Sequence, residues 1–193
     1  LPGWLLFCGQ LRTLLLVMMK RLIVDIGRLG RRLGRNTPTG VDRVILAYAL
    51  YLISVAGDQV TFTRNFLGIP IPYERGRAKE ILSLSEKNWT EGSRKTPGRF
   101  KTLVARCVEF AVAPLWMRKI AANPFVYFTL DHNGLEPNGV VNKLSAFAQA
   151  EIVVFLHDLI PITHPEYSVA HIEKKHHQRM AQIAKSASLV IAN

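Results

Sequence analysis

A chain of 193 residues that is 49% hydrophobic and 20% charged is long and apolar enough to bury a core, which excludes a disordered protein. Its two cysteines, Cys8 and Cys107, are too few and too far apart for a disulfide framework or a thiolate zinc site, and a reducing compartment fits them best. The formal charge of +11 asks for an anionic partner, yet no aromatic-interleaved basic strand, helix-turn-helix or zinc module accompanies it, so nucleic acid is not expected.

Residues 1–19 form a hydrophobic lead broken by Gly9-Gln10 and Arg12, too interrupted for the ~20 apolar residues of a spanning helix. The lead is expected to lie outside the fold, either as sequence upstream of a start at Met18 or Met19 or as a degraded signal sequence. Residues 22–26 read as a first strand, followed by an Arg/Gly loop from Gly27 to Gly40. From Val41 the apolar residues Val44, Ile45, Tyr48, Leu52 and Val55 recur at helical spacing, and Gly57 is placed to cap the helix.

Residues 59–63 alternate as a second strand, and the prolines of Gly68-Ile-Pro-Ile-Pro72 exclude a central strand after it. The polar stretch 74–98 predicts a short helix and an exposed connection with no function of its own. Residues 100–120 predict a further helix, apolar nearly all round, which Pro114 should kink or end. Such a helix is either deeply buried or turned toward a partner or membrane.

Residues 125–129 and 151–156 read as strands ending in Asp131-His132-Asn133-Gly134 and His157-Asp158. Val169, Ile172, His176, Met180, Ile183 and Ala187 share one helical face, with His176 in the core and His177 at the surface, and residues 189–192 begin a last strand. Strands that alternate with helices, through crossovers too long for hairpins, imply an α/β domain with a parallel sheet covered on both faces. The chain stops at Asn193 in the last strand without a closing helix, so residues 20–193 are expected to be the amino-terminal part of a longer protein.

Chemistry is expected where apolar strands give way to ionisable residues, because the carboxyl ends of an open α/β sheet face the ligand crevice. His157 and Asp158 stand at such an end; the other reading is that Asp158 caps the loop and His157 is a satisfied, half-buried imidazole. The 27–40 loop follows a strand and opens a helix, as phosphate-cradling loops do, but Gly27, Gly30 and Gly34 miss the GxGxxG spacing and the P-loop Lys-Ser/Thr is missing. Thr39 as a helix cap is the alternative. A zinc site is not expected, since five positions set His171 and His176 about 140° apart on a helix. No Gly-x-Ser-x-Gly elbow occurs, and Cys107 lies in an apolar helix, which disfavours a hydrolase.

VDIGRL, Thr-Pro-Thr-Gly-Val-Asp-Arg-Val, a strand ending near His132-Asn-Gly-Leu135, FLHDLIPITHPEY and HHQRMAQIAKSASLVIAN follow one another over residues 20–193. In this order they resemble the amino-terminal domain of GT-B glycosyltransferases, in the large retaining group often called family 4 or group 1. Asp131-His132 stands where a Gly-His pair is common in that group, and the Arg/Gly loop is unusually basic.

The resemblance implies the Rossmann-like, acceptor-side half of a GT-B fold, facing a second half that holds a nucleotide sugar and carries a Glu-x7-Glu motif. It implies transfer of a hexose to a glycan or lipid-linked acceptor in cell-surface polysaccharide synthesis, with no metal or other cofactor required. His157 and Asp158 would be catalytic residues beside the transferred sugar. Thr39, Gly40 and Arg43 would approach the donor diphosphate, and His132 with Gly134 would form an acceptor wall. A cytoplasmic location with peripheral contact to the inner membrane face is expected, and the isolated chain is expected to be inactive. The alternative is a non-catalytic basic domain binding a membrane surface or a polyanion.

Overall fold

The computed structural model describes residues 20–35, 37–92, 95–96 and 99–192, apart from the side chains of residues 99–101, 170 and 171; the lead 1–19 lies outside the described residues. β1 (Arg21–Asp25), α1 (Gly27–Arg32), α2 (Gly40–Ala56), β2 (Val60–Phe66), β3 (Ile69–Pro72), α3 (Arg75–Thr90) and α4 (Arg99–Ala121) follow in order. After them come β4 (Phe125–Thr129), α5 (Val140–Leu144), β5 (Ala150–Leu156), α6 (Ile160–Thr163), α7 (Ala170–Ser186) and β6 (Leu189–Ala192).

The strands form one six-stranded sheet in the order β3-β2-β1-β4-β5-β6, parallel throughout except for β3, which runs antiparallel to β2. This is an α/β architecture with a mostly parallel, Rossmann-like sheet, as expected. Each central strand is buried on both faces, which explains why RLIVD and FVYFT read as unbroken apolar runs and not as alternations.

Alternate residues feed two cores. Leu22, Val24, Val126 and Phe128 pack under α1, α2 and α3, through Leu29, Ile45, Leu46, Ala49, Leu52, Ile81 and Leu82. Ile23, Phe125, Tyr127, Ile152 and Val154 pack on the opposite face with Ile120, Val140, Leu144 and Ile183. Each fully buried Leu or Ile contributes about 1.5–3 kcal/mol, so both layers are held by apolar burial. Gly40–Gln59, α2 with the turn that follows it, is apolar and long enough to cross a membrane, but its Ile45-Ala49-Leu52 face packs into the core.

Several expectations need correction. The 27–40 segment is not all loop: Asp25 Oδ1 accepts the Gly27 amide at 2.7 Å and starts α1, while Leu29 and Leu33, four apart, bury their side chains. Of the two outcomes expected at Pro114, a kink or an end, the end does not occur, and the fourth helix runs on to Ala121. Of the two alternatives for that helix, deep burial does not hold: Glu109, Ala113 and Ile120 face inward, while Leu103, Val104, Val108 and Leu115 are exposed. The helix in the polar 74–98 stretch is also longer than expected, filling Arg75–Thr90.

The prolines of residues 69–72 sit in an edge strand, where a missing ladder donor is tolerated. Tyr73 donates its amide inward to Phe62 O at 2.8 Å, so by alternation the amides of Ile71 and Ile69 face β2 and the nitrogens of Pro70 and Pro72 face away. Pro70, Ile71 and Pro72 are buried, and α4 packs against this strand.

Candidate functional site at the strand carboxyl ends

From β1 the chain proceeds to β2 and β3 on one side, and from β4 to β5 and β6 on the other, so the order reverses between β1 and β4. At such a switch point the loops leaving the two strands diverge and open a crevice. Asp25 ends β1, Asp131 and His132 follow β4, and His157 and Asp158 follow β5.

Arg28 joins these ends to the start of α2. Its Nε donates to Asp42 Oδ1 at 2.6 Å, its Nη2 donates to Thr39 Oγ1 at 3.3 Å, and its Nη1 lies 3.5 Å from Asp131 Oδ1. Arg31 Nη2 lies 3.6 Å from Asp131 Oδ2, and Arg32 Nε lies 2.8 Å from Asp42 Oδ2. Arginines at positions 28, 31 and 32 have i, i+3, i+4 spacing, so a helix presents all three to one set of carboxylates. Burial alone would raise the Asp42 carboxyl, but the Thr39 amide and the Arg28 guanidinium together hold it below the usual carboxylate range.

Asp25 is buried, accepts from Gly27 and Tyr127, and has its pKa raised to about 6, chiefly by burial and further by the charge of Asp131. Burial and the neighbouring Asp25 charge push the Tyr127 hydroxyl up, so it remains a proton donor.

Three imidazoles pack together beyond β4 and β5. The His132 ring lies 5.4 Å from that of His157 and 5.3 Å from that of His176, centroid to centroid. A carbonyl only accepts, so Nε2 of His157, 2.8 Å from Leu130 O, and Nε2 of His176, 3.2 Å from Asp158 O, carry protons. The His157 amide donates to His132 Nε2 at 3.4 Å, which puts the His132 proton on Nδ1. Burial, reinforced by the two neighbouring histidines, lowers the His132 pKa to about 4, so this ring is neutral at pH 7. Among the described residues no group of three or more His, Cys, Asp or Glu is arranged to hold a metal ion.

The residues singled out by sequence gather here unequally. His132 and His157 are neighbours, both half-buried, and Asp158 is exposed beside them. Thr39 reaches the same edge through Arg28, but its hydroxyl also accepts from the Asp42 amide at 3.3 Å while Asp42 accepts back from the Thr39 amide, a capping box. Gly40 opens α2, and Arg43 is exposed one turn further on. Gly134 is buried. It has φ +86, and a Cβ there would come within 2.5 Å of Asn65 Nδ2, so it shapes the turn after His132. Arg179 secures that turn, donating to Glu136 Oε1 at 2.8 Å while Glu136 Oε2 accepts from the Gly134 amide at 2.9 Å.

Next to this edge lies a cavity of about 450 Å³ lined by Arg31, Arg64, Arg77, Arg106 and Glu109, among others. Sequence reasoning assigned no function to residues 74–98, yet Arg77, Ile81 and Thr96 line this cavity. No local pattern announces a pocket assembled from α1, β2, α3 and α4.

No protein-family model matches this chain, and comparisons with curated proteins and with solved structures return no match.

Proposed function

We propose that this region is the acceptor-side half of a retaining GT-B glycosyltransferase, which moves a hexose from a nucleotide sugar to a glycan or lipid-linked acceptor on the cytoplasmic side of a membrane. The observation that carries the reading is the His132–His157 pair at the ends of β4 and β5, on the edge to which Arg28 ties Thr39. His157 and Thr39 lie in the HDLIPITHPEY and TGVDRV motifs, and His132 at the His132-Asn-Gly-Leu135 strand end, through which the family resemblance designates these positions. In that reading the donor diphosphate approaches the α2 start, and fixed positive groups such as Arg28 stabilise the charge of the leaving group. His157, held by Leu130 O, presents an oriented imidazole to the transferred sugar.

Labelled nucleotide hexoses supplied to the whole protein carrying this region, with membrane extract as acceptor, test the reading. Transfer is expected, and His157→Ala should slow it on the order of a hundredfold, the about 2.7–4 kcal/mol typical of a lost transition-state contact. The hydrogen bond to Leu130 that the variant also loses is worth about 1 kcal/mol of stability, so the protein stays folded. No transfer from any nucleotide hexose overturns the proposal, and unchanged turnover in the variant makes His157 structural.

One observation favours a second reading, a non-catalytic domain that docks on membrane. Val104, Val108 and Leu115 lie on one side of α4, Leu115 with 69% of its surface exposed, and Arg118 and Lys119 follow them. Trp116, by contrast, packs against the core. Salt-sensitive binding to anionic vesicles that Leu115→Ser abolishes, with no transfer activity in the whole protein, would select this reading.

A further inference from the structure

The cavity beside the strand ends is strongly cationic. Four guanidiniums, Arg31, Arg64, Arg77 and Arg106, share it with one carboxylate, Glu109, which is only 3% exposed. Asp131 and Glu80 pair with Arg31 and Arg77, and cations still outnumber acids.

Two of the arginines are fixed in place. Arg64 donates from Nε to Glu109 Oε2 at 3.2 Å and lies over the Phe110 ring, 5.0 Å from its centroid. Arg77 pairs with Glu80 at 3.0 Å and donates to Thr102 Oγ1 at 3.3 Å. Burial raises the Glu109 carboxyl against the opposing pull of Arg64, with which it pairs.

Arg64 Nη2 adds a separate observation. It is buried and lies 3.2 Å from Glu109 Oε2, but at an angle that completes no hydrogen bond among the described residues. Its donor hydrogens are not fully used by that ion pair, and an oxyanion in the pocket would accept them. Tyr73, whose hydroxyl burial keeps protonated, also faces the space, and Gly30 leaves room for it: a Cβ there would come within 2.8 Å of the hydroxyl oxygen.

We propose that this pocket holds a phosphate or diphosphate group of the acceptor, an inference that rests on reading the region as an acceptor-binding half. One guanidinium fork suffices for a carboxylate, whereas several converging forks suit the tetrahedral oxygens and higher charge of phosphate. Arg31 belongs to both places: it lines the pocket and meets Asp131, the neighbour of His132. An acceptor anchored here by its phosphate has its sugar directed toward the histidine pair.

Titration calorimetry on the folded chain at about 0.15 M salt, where the Debye length is near 8 Å, tests this with inorganic pyrophosphate and a hexose 1-phosphate as probes. Both are expected to saturate one site, while the unphosphorylated hexose and a hexuronate bind at least tenfold more weakly. The exposed-residue variants Arg106→Gln and Arg31→Gln should weaken pyrophosphate at least tenfold without lowering the melting temperature, and Lys185→Gln, on α7 away from the pocket, should not. Absence of saturation, or equal loss in Lys185→Gln, overturns the proposal. A single-stranded oligonucleotide that binds more tightly than pyrophosphate also overturns it, in favour of a polyanion surface. Transfer to a neutral acceptor without probe binding removes the phosphate site and leaves the enzyme, whereas probe binding in a whole protein that transfers no hexose keeps the anion site and removes the enzyme.

Discussion

The Tyr127 hydroxyl donates to Asp25 Oδ2 at 3.2 Å, linking β4 to the carboxyl end of β1 across the point where the sheet changes direction. The bond and the Gly27 amide hold the carboxyl in a buried place where ionisation is costly, and its pKa rises to about 6.

A carboxyl whose folded pKa exceeds its unfolded value stabilises most when protonated. The contribution from Asp25 is therefore complete below about pH 3.8 and is lost as pH rises through about 6. Asp25→Asn keeps an acceptor for Gly27 and removes the charge. It should raise the melting temperature by several degrees at pH 8, on the order of up to 3 kcal/mol, and by little at pH 4. Thermal melts at the two pH values check this; an equal gain at both would show that the charge is not the cause.

His132 shows the opposite linkage. Its folded pKa, about 4, lies below the unfolded value of 6.5, so its stabilising contribution is present above pH 6.5 and is lost as pH falls through about 4. In an NMR titration the His132 ring should remain neutral at pH 5.5, with its proton on Nδ1. A midpoint between pH 6 and 7 would mean that the imidazole cluster is more solvated than its packing indicates.

Thr39 tests the division between cap and site. Thr39→Val removes the acceptor for the Asp42 amide and for Arg28, and the lost cap should cost about 1 kcal/mol, a shift of a few degrees. Thr39→Ser restores both bonds and should restore the melting temperature. If both variants melt like the wild type, the capping box is not contributing.

Gly134→Ala combines a left-handed backbone with contact at 2.5 Å to Asn65 and 2.7 Å to Val140, and should cost on the order of 2–4 kcal/mol in denaturant unfolding. A wild-type midpoint would show that the turn after His132 adjusts readily.

Much of this was legible in the sequence because parallel strands are buried on both faces and therefore appear as continuous apolar runs. Residues 125–129 coincide with β4, and β5 starts one residue earlier than expected, at Ala150. His176 and His177 fall in the core and at the surface as the α7 periodicity implied. Glycine hid α1: Gly27, Gly30 and Gly34 suggested a loop, although Leu29 and Leu33 already carried the helical repeat. α5 is only five residues long, too short for a period to show. The arginine pocket was invisible for a different reason: Arg31, Arg64, Arg77 and Arg106 meet only after β2, α3 and α4 have folded around α1.

The two prolines of β3 have a consequence for how this molecule meets others. A sheet margin normally offers both donors and acceptors to a passing strand, but the outward nitrogens at Pro70 and Pro72 carry no hydrogen. α4 therefore covers β3 without trapping unsatisfied amides at these positions. Should α4 lift away, a foreign strand would find only carbonyls to pair with there, and templated β-sheet growth from this side of the protein is blocked at its first hydrogen bonds.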